Sequence, residues 1–168
     1  MPSGMRRLVT SEAPAAVLLV RFAVGWVFLT EGIQKFLYVE ARGVGRFERI
    51  GLPSPEILAP FVGVVEIACG ALVLAGLLTR LASVPLALTM VVALVSTKLP
   101  ILLGHGFWGF NLRNLSSYGF WSMAHESRTD LAMLLGAVFL VMVGGGRWSA
   151  DRHLGGAPGK MSPRKRSP

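Results

Sequence analysis

Four stretches of this chain are long and apolar enough to thread a lipid hydrocarbon core, and no other feature narrows the possible folds as far. A spanning helix needs about 20 mostly apolar residues at a rise of 1.5 Å each. The stretches cover about 13–38, 56–78, 81–103 and 129–146. Only Thr79-Arg80 separates the second from the third, so those two must form an antiparallel hairpin. Pro55 and Glu56 suit a helix start, while Pro85 and Pro100 would bend or end the third helix. The fourth stretch is the shortest, its apolar part closing at Val143 before Gly144-Gly145-Gly146. It spans only if its neighbours or the flanking Arg147 and Trp148 help. The expectation is an all-α membrane protein with four transmembrane helices.

Composition points the same way. Hydrophobic residues make up 52% of the chain and charged residues 15%, with a mean hydropathy of +0.57. An ordinary soluble domain carries about 25% charged residues. The net charge of +8 would suggest nucleic acid in a soluble protein, but here the basic residues flank apolar runs, as membrane proteins place them. No nucleic-acid partner is expected. The lone cysteine, Cys69, excludes an intrachain disulfide, a redox dithiol and a cysteine-built metal cluster.

Placing the N-terminal segment 1–12, the Arg80 hairpin and the C-terminal tail on one side gathers Arg6, Arg7, Arg80, Arg147, Arg152, Lys160, Arg164, Lys165 and Arg166 there. That side is predicted cytoplasmic, giving N-in and C-in. Arg42, Arg46, Arg49, Arg113 and Arg128 fall on the other side, so the bias is moderate. The first stretch is too long for a signal peptide, carries Arg21 and lacks a small-x-small cleavage site. Residues 155–168, rich in Gly, Pro and basic side chains, read as a disordered tail.

Charges inside apolar stretches are the candidate functional residues. On a helical wheel, Val24, Gly25, Phe28, Glu31, Gly32 and Lys35 lie within about 80° of Arg21. On the second stretch Ala59, Gly63, Glu66 and Gly70 share one strip. Small residues let backbones approach, so Gly25, Gly32, Gly63 and Gly70 are predicted to pack the first helix on the second. An ionised group at the bilayer centre costs roughly 3 kcal/mol on insertion scales, so these charges should face the interior and pair. Glu31 and Lys35 stand in the favourable i,i+4 order for a pair within their own helix. That leaves Arg21 and Glu66 for each other, although Arg21 enters about 9 Å from the cytoplasmic end and Glu66 about 20 Å. The network either fixes bundle register or provides a proton relay or polar ligand pocket.

The segment 104–128 is rich in aromatics, with Phe107, Trp108, Phe110, Tyr118, Phe120 and Trp121. It is predicted to be an outer loop between the third and fourth helices, lying at the headgroup level. His105, His125, Glu126 and Asp130 are candidates for handing protons to a quinone-like carbonyl near that surface. An aromatic belt with hydrogen-bonded histidines is the plainer account, and Asp130 could simply serve a helix dipole. No metal is predicted, because the two histidines and scattered acids lack ligand spacing. No nucleotide site is predicted either, since the glycines do not form a phosphate loop or a dinucleotide fingerprint.

Arg21-x3-Gly25, Glu31-Gly32-x2-Lys35, Gly51-Leu52-Pro53, Gly63-x2-Glu66-x3-Gly70 and Gly76-Leu77-x-Thr79-Arg80 follow one another along the chain, which closes on Gly146-Arg147-Trp148-Ser149-x-Asp151-Arg152. This series over roughly 14–154 resembles the DoxX family of small four-helix bacterial membrane proteins. The resemblance implies a multi-pass protein of the bacterial inner membrane. It also implies kinship with membrane subunits of thiosulfate:quinone oxidoreductase and with a component of a membrane-associated oxidoreductase complex that works with soluble redox partners.

On that basis the expected function is a membrane subunit of a quinone-linked or related oxidoreductase complex, with a polar pocket between the first two helices. Quinone is the one cofactor implied. The chain has no cysteine pair or haem-ligand pair of its own, so electrons would come from a partner protein. The alternatives are a small-solute or ion transporter using the Arg21, Glu31, Lys35 and Glu66 cluster, and a non-catalytic assembly subunit. A homo-oligomer is compatible with each.

Overall fold

The structure is a computed structural model describing residues 13–154. The N-terminal arginines and the basic tail therefore lie outside the described residues. Eight helices follow in order: α1 (Val17–Leu37), α2 (Val39–Arg42), α3 (Val44–Ile50), α4 (Pro55–Ala75), α5 (Thr79–Ala93), α6 (Leu99–Leu103), α7 (Phe120–Val143) and α8 (Ala150–Leu154). A π-helical turn, Leu94–Lys98, joins α5 to α6. No strand occurs among the described residues, only an isolated bridge between Phe107 and Phe110.

Three helical segments are long and apolar enough to cross a membrane: Val17–Leu37, Pro55–Ala75 and Thr79–Leu103. With α7 they form a bundle in which α1 packs mainly on α4 and α5 on α7. Around an apolar core of Val24, Phe28, Val73, Leu86 and Leu140 the bundle also buries charged groups and turns large apolar side chains outward. Arg21, Glu66, Ser83, Ser96, Lys98 and Asp151 are buried, while Leu19, Phe22, Ile57, Phe61, Leu88, Leu135 and Met142 are exposed. A water-soluble chain exposes fewer large apolar side chains and rarely buries charges, because apolar area gains most by leaving water.

Local chemistry sets the helix ends. Pro55 opens α4, and Gly76 closes it with φ of +71°, where the Leu77 N–H donates to Leu72 O (2.9 Å) and the Gly76 N–H to Val73 O (3.1 Å). This double bond over a left-handed glycine satisfies the orphan carbonyls of the last turn. Gly51 ends α3 in the same way, with Leu52 donating to Phe47 O at 3.0 Å. In the third long segment Pro100 lacks an N–H, and in a regular helix its ring would press on the carbonyl of Ser96. The chain widens there, and the Leu99 N–H reaches back five residues to Leu94 O.

Two boundaries correct the expectation. The segment 39–50, between the first two apolar stretches, forms the short helices α2 and α3, which pack on each other, α2 also on α1 and α3 on α4. Helices of this length are held by docking rather than by propensity. The fourth long helix starts at Phe120 rather than near 129, so the aromatic connection shrinks to 104–119. Residues 120–130 carry Ser122, His125, Glu126, Arg128 and Asp130, which break the apolar run without breaking the helix.

The glycines of α1 and α4 bring the two backbones into contact. A Cβ on Gly32 would lie 2.8 Å from Gly63 O and 2.9 Å from Ile67 N, and one on Gly70 would lie 2.8 Å from Leu29 N. Gly25 meets Gly70 O and Leu74, and Gly63 meets the ring of Phe36. A side chain at position 32 must therefore push α4 away. Gly32→Val is expected to destabilise the folded protein by about 1–3 kcal/mol, the usual scale of overpacking. Ala71→Val, on the exposed face of α4, should stay within about 0.5 kcal/mol. Unfolding in detergent micelles measures both, and equal effects would contradict the contact.

Candidate functional site

The interior charges separate into two centres at different depths. Arg21 lies one turn into α1 and is 2% exposed. Its Nε donates to Val73 O (3.0 Å) and Nη2 to Leu74 O (2.6 Å), while Nη1 donates to Gly145 O (3.2 Å) and Trp148 O (2.6 Å). Arg21 thus binds the C-terminal carbonyls of α4 to the turn that follows α7. Gly76 suits the place beside it, with φ of +71° and no Cβ to run into the guanidinium. Asp151 acts on Arg21 electrostatically, and its carboxylate accepts the Leu78 and Thr79 N–H groups at 2.7 and 3.0 Å. It caps α5 from the far end of the chain, at a point where Leu78 has φ of +49°. Acceptors at such orphan N–H groups contribute about 0.5–2 kcal/mol.

Arg21 and Glu66, left for each other by elimination, are not partners. Gly25 opposes Gly70 and Gly32 opposes Gly63, so the antiparallel register sets Arg21 beside the end of α4. Glu66 sits near the middle of α4, about 16 Å in from Pro55. Its partner is Lys35, whose Nζ donates to Glu66 Oε2 from across the helix interface. The expected pair of Lys35 with Glu31 does not form. Glu31 faces Arg42 at 3.5 Å, where both side chains are partly exposed. The choice follows from desolvation: a buried carboxylate needs a cation far more than one that water can reach.

The Lys35–Glu66 pair stands on the wall of a cavity of about 230 Å³ between α1, α3, α4 and the third long segment. Its lining is otherwise mainly apolar, including Phe47, Leu58, Val62, Leu88 and Met90. Beyond Arg42, Arg46, Ile50 and Thr97, which line both spaces, lies a vestibule of about 760 Å³.

The four residues proposed near the outer surface do not converge. Glu126 pairs with Arg113 (3.0 Å) and Asp130 with Lys98 (3.1 Å). His105 bonds the carbonyl of Gly106, and His125 stands beside Arg128. Each group has a partner of its own, so no shared proton site forms among the four. Among the described residues no three His, Cys, Asp or Glu side chains group as metal ligands.

Lys98 and Asp151 were not among the expected functional residues, although Asp151 stands in the closing motif. Lys98 is a charge inside an apolar stretch, the same signal that singles out Arg21 and Glu66, and it is buried in the π-helical turn. Asp151 gave no comparable signal, because its partners are backbone amides.

Outward-facing apolar helices around a buried charge network define a helical integral membrane protein. The sequence profile of the DoxX family matches residues 16–99, which include Arg21, Lys35, Glu66 and Lys98. The chain belongs to the DoxX family. It is 55% identical over 148 residues to Rv3486, an uncharacterized membrane protein of Mycobacterium tuberculosis, covering 88% of this chain and 86% of that protein. It is 38% identical over 82 residues to CatD of Bacillus subtilis, provisionally named an oxidoreductase, covering 49% of this chain and 59% of that protein. No solved structure matches significantly.

Proposed function

We propose that this protein is the integral membrane subunit of a quinone-linked oxidoreductase complex, and that the cavity beside Lys35–Glu66 receives the quinone ring. One observation carries the reading: an apolar cavity in a lipid-facing bundle has a single buried acid–base pair on its wall. The fit is chemical. The apolar lining suits a flat, uncharged ring, and the ammonium of Lys35 offers donors to a carbonyl oxygen. A bound quinone accepts electrons and protons that a lone side chain could not store together. Glu66 and Lys35 hold a proton between them at the edge of that space, and the surrounding Leu and Val side chains exclude water. CatD's name supports a redox role. Electrons would arrive from a partner protein, as this chain offers no thiol pair for them.

In this reading α7 completes the fourth crossing. Its 24 residues reach about 36 Å, and its polar first turns lie beyond the hydrocarbon. The Arg80 hairpin and Arg147 mark the cytoplasmic face of the bacterial inner membrane, with the 104–119 aromatics at the outer one. Saturable quenching of tryptophan fluorescence by a short-chain benzoquinone or naphthoquinone is expected for the full chain in nanodiscs. Glu66→Gln should weaken it about tenfold, or ~1.4 kcal/mol. Absence of saturable binding, or an unchanged Glu66→Gln, would contradict the reading.

A second reading, a transporter, is favoured by the π-helical turn Leu94–Lys98 beside the cavity, since such turns are frequent at functional sites. Solute flux in liposomes that Glu66→Gln abolishes would select it.

A further inference from the structure

The vestibule beyond the cavity answers to a different chemistry. Arg42, Arg46, Arg49, Lys98 and Arg113 line it, and no carboxylate does. Three of these cations have acids behind them: Arg42 faces Glu31, Lys98 faces Asp130 and Arg113 faces Glu126. The remaining two form no ion pair among the described residues, and Arg46 acts on Glu66 only electrostatically, across the cavity whose wall they share. Arg49 donates only to the carbonyl of Ala41, and Arg46 makes no hydrogen bond or ion pair among the described residues. They stand three residues apart on α3, on one face of the helix, where like charges repel. Glu48, two residues beyond Arg46, points about 200° away from it and does not line the space. Both side chains are exposed, and their slight mutual repulsion is relieved by a shared anion.

Position identifies the kind of anion. The 104–119 connection is fastened to α3, with the Asn111 N–H donating to Ile50 O (2.8 Å) and Asn111 Nδ2 to Arg49 O (3.2 Å). The same connection exposes Trp108 and Tyr118, and Phe120 and Trp121 follow at the start of α7. Aromatic side chains of this type settle at the headgroup level of a bilayer. The vestibule is therefore at the depth of lipid phosphates, and its inner end continues into an apolar cavity. These arginines also lie at the end of the bundle opposite the Arg80 hairpin, where the charge rule for cytoplasmic loops gives them no topogenic use.

We propose that this vestibule binds the phosphodiester headgroup of an anionic phospholipid, with Arg46 and Arg49 sharing the phosphate oxygens. Guanidinium forks match phosphate geometry and can hold two oxygens each. A neutral quinone does not need them, so the proposal stands apart from the redox reading.

The test uses the full chain purified in a mild neutral detergent and compares phosphatidylglycerol with phosphatidylcholine of the same acyl chains, by native mass spectrometry and by lipid-induced shifts in thermal unfolding. The wild type is expected to bind phosphatidylglycerol at least about tenfold more tightly, a preference that falls to near unity in R46Q/R49Q. It should also vanish in the wild type at about 1 M salt, where the Debye length is about 3 Å. That second readout holds even if the double variant misfolds. Equal binding of the two lipids, a preference indifferent to salt, or a preference kept by folded R46Q/R49Q would overturn the proposal. Full displacement of phosphatidylglycerol by inorganic phosphate would also overturn it, by making the site one for a soluble oxyanion. Loss of quinone binding in Glu66→Gln with the lipid preference intact would show that the two sites are separate.

Discussion

Arg21→Ala is expected to unfold most of the protein under conditions where the parent is stable. The change removes four hydrogen bonds at once and strips donors from the carbonyls of Leu74, Gly145 and Trp148 in a buried site. It also leaves Asp151, 2% exposed, without the positive charge beside it. Truncating one member of a buried charged network costs about 3–5 kcal/mol. Against a total stability of about 5–15 kcal/mol, that is a large share. Arg21→Lys should rescue only part of the loss, because one ammonium cannot reach all the carbonyls spread around the edge of the planar guanidinium. Unfolding in mixed micelles measures each variant. A loss below about 1 kcal/mol for Arg21→Ala would mean that the closing segment is not held through this residue.

Glu66→Ala should have the second largest effect, and for a different reason. It takes from the Lys35 ammonium the counter-ion it holds at the wall of an apolar cavity, while Glu31, one turn away, faces Arg42 instead. The expected loss is again about 3–5 kcal/mol, whereas replacing both members, as in Lys35→Met with Glu66→Leu, should recover most of it. Recovery of stability without recovery of quinone binding would separate the two roles of the pair, its structural tolerance and its chemistry. A doubly substituted protein that still bound quinone would contradict the assignment of the cavity. The stability arm is read by unfolding and the binding arm by fluorescence quenching.

The long helices were legible because a bilayer imposes a length and an apolar character that the sequence displays openly. The stripe containing Arg21, Gly25 and Gly32 faces inward, as does that of Gly63, Glu66 and Gly70, since helical periodicity alone determines which residues share a face. What a periodicity cannot supply is the relative depth of two helices. The register of α1 on α4 comes from glycine contacts between backbones, and it is the register that gives Glu66 to Lys35 and removes Arg21 from its reach. Arg21 and Asp151 were harder still, because their partners are main-chain carbonyls and amides, which every residue carries and no sequence pattern marks. The start of α7 was obscured by Glu126, Arg128 and Asp130, of which Glu126 pairs with Arg113 and Asp130 with Lys98, while Arg128 stands beside His125. The motifs near residues 76–80 and 146–152 had no evident reason to be linked until Arg21 was seen to touch both ends.

The most direct test is a double-mutant cycle of Lys35→Met and Glu66→Gln, read as unfolding free energy in lipid nanodiscs. If these two side chains meet inside the bundle, the single losses together should exceed the double loss by about 2 kcal/mol or more, within the range seen for contacting charged groups. Losses that simply add, to within about 0.5 kcal/mol, would show that the two residues do not touch. The interior acid–base pair, and the quinone site built on it, would then be wrong.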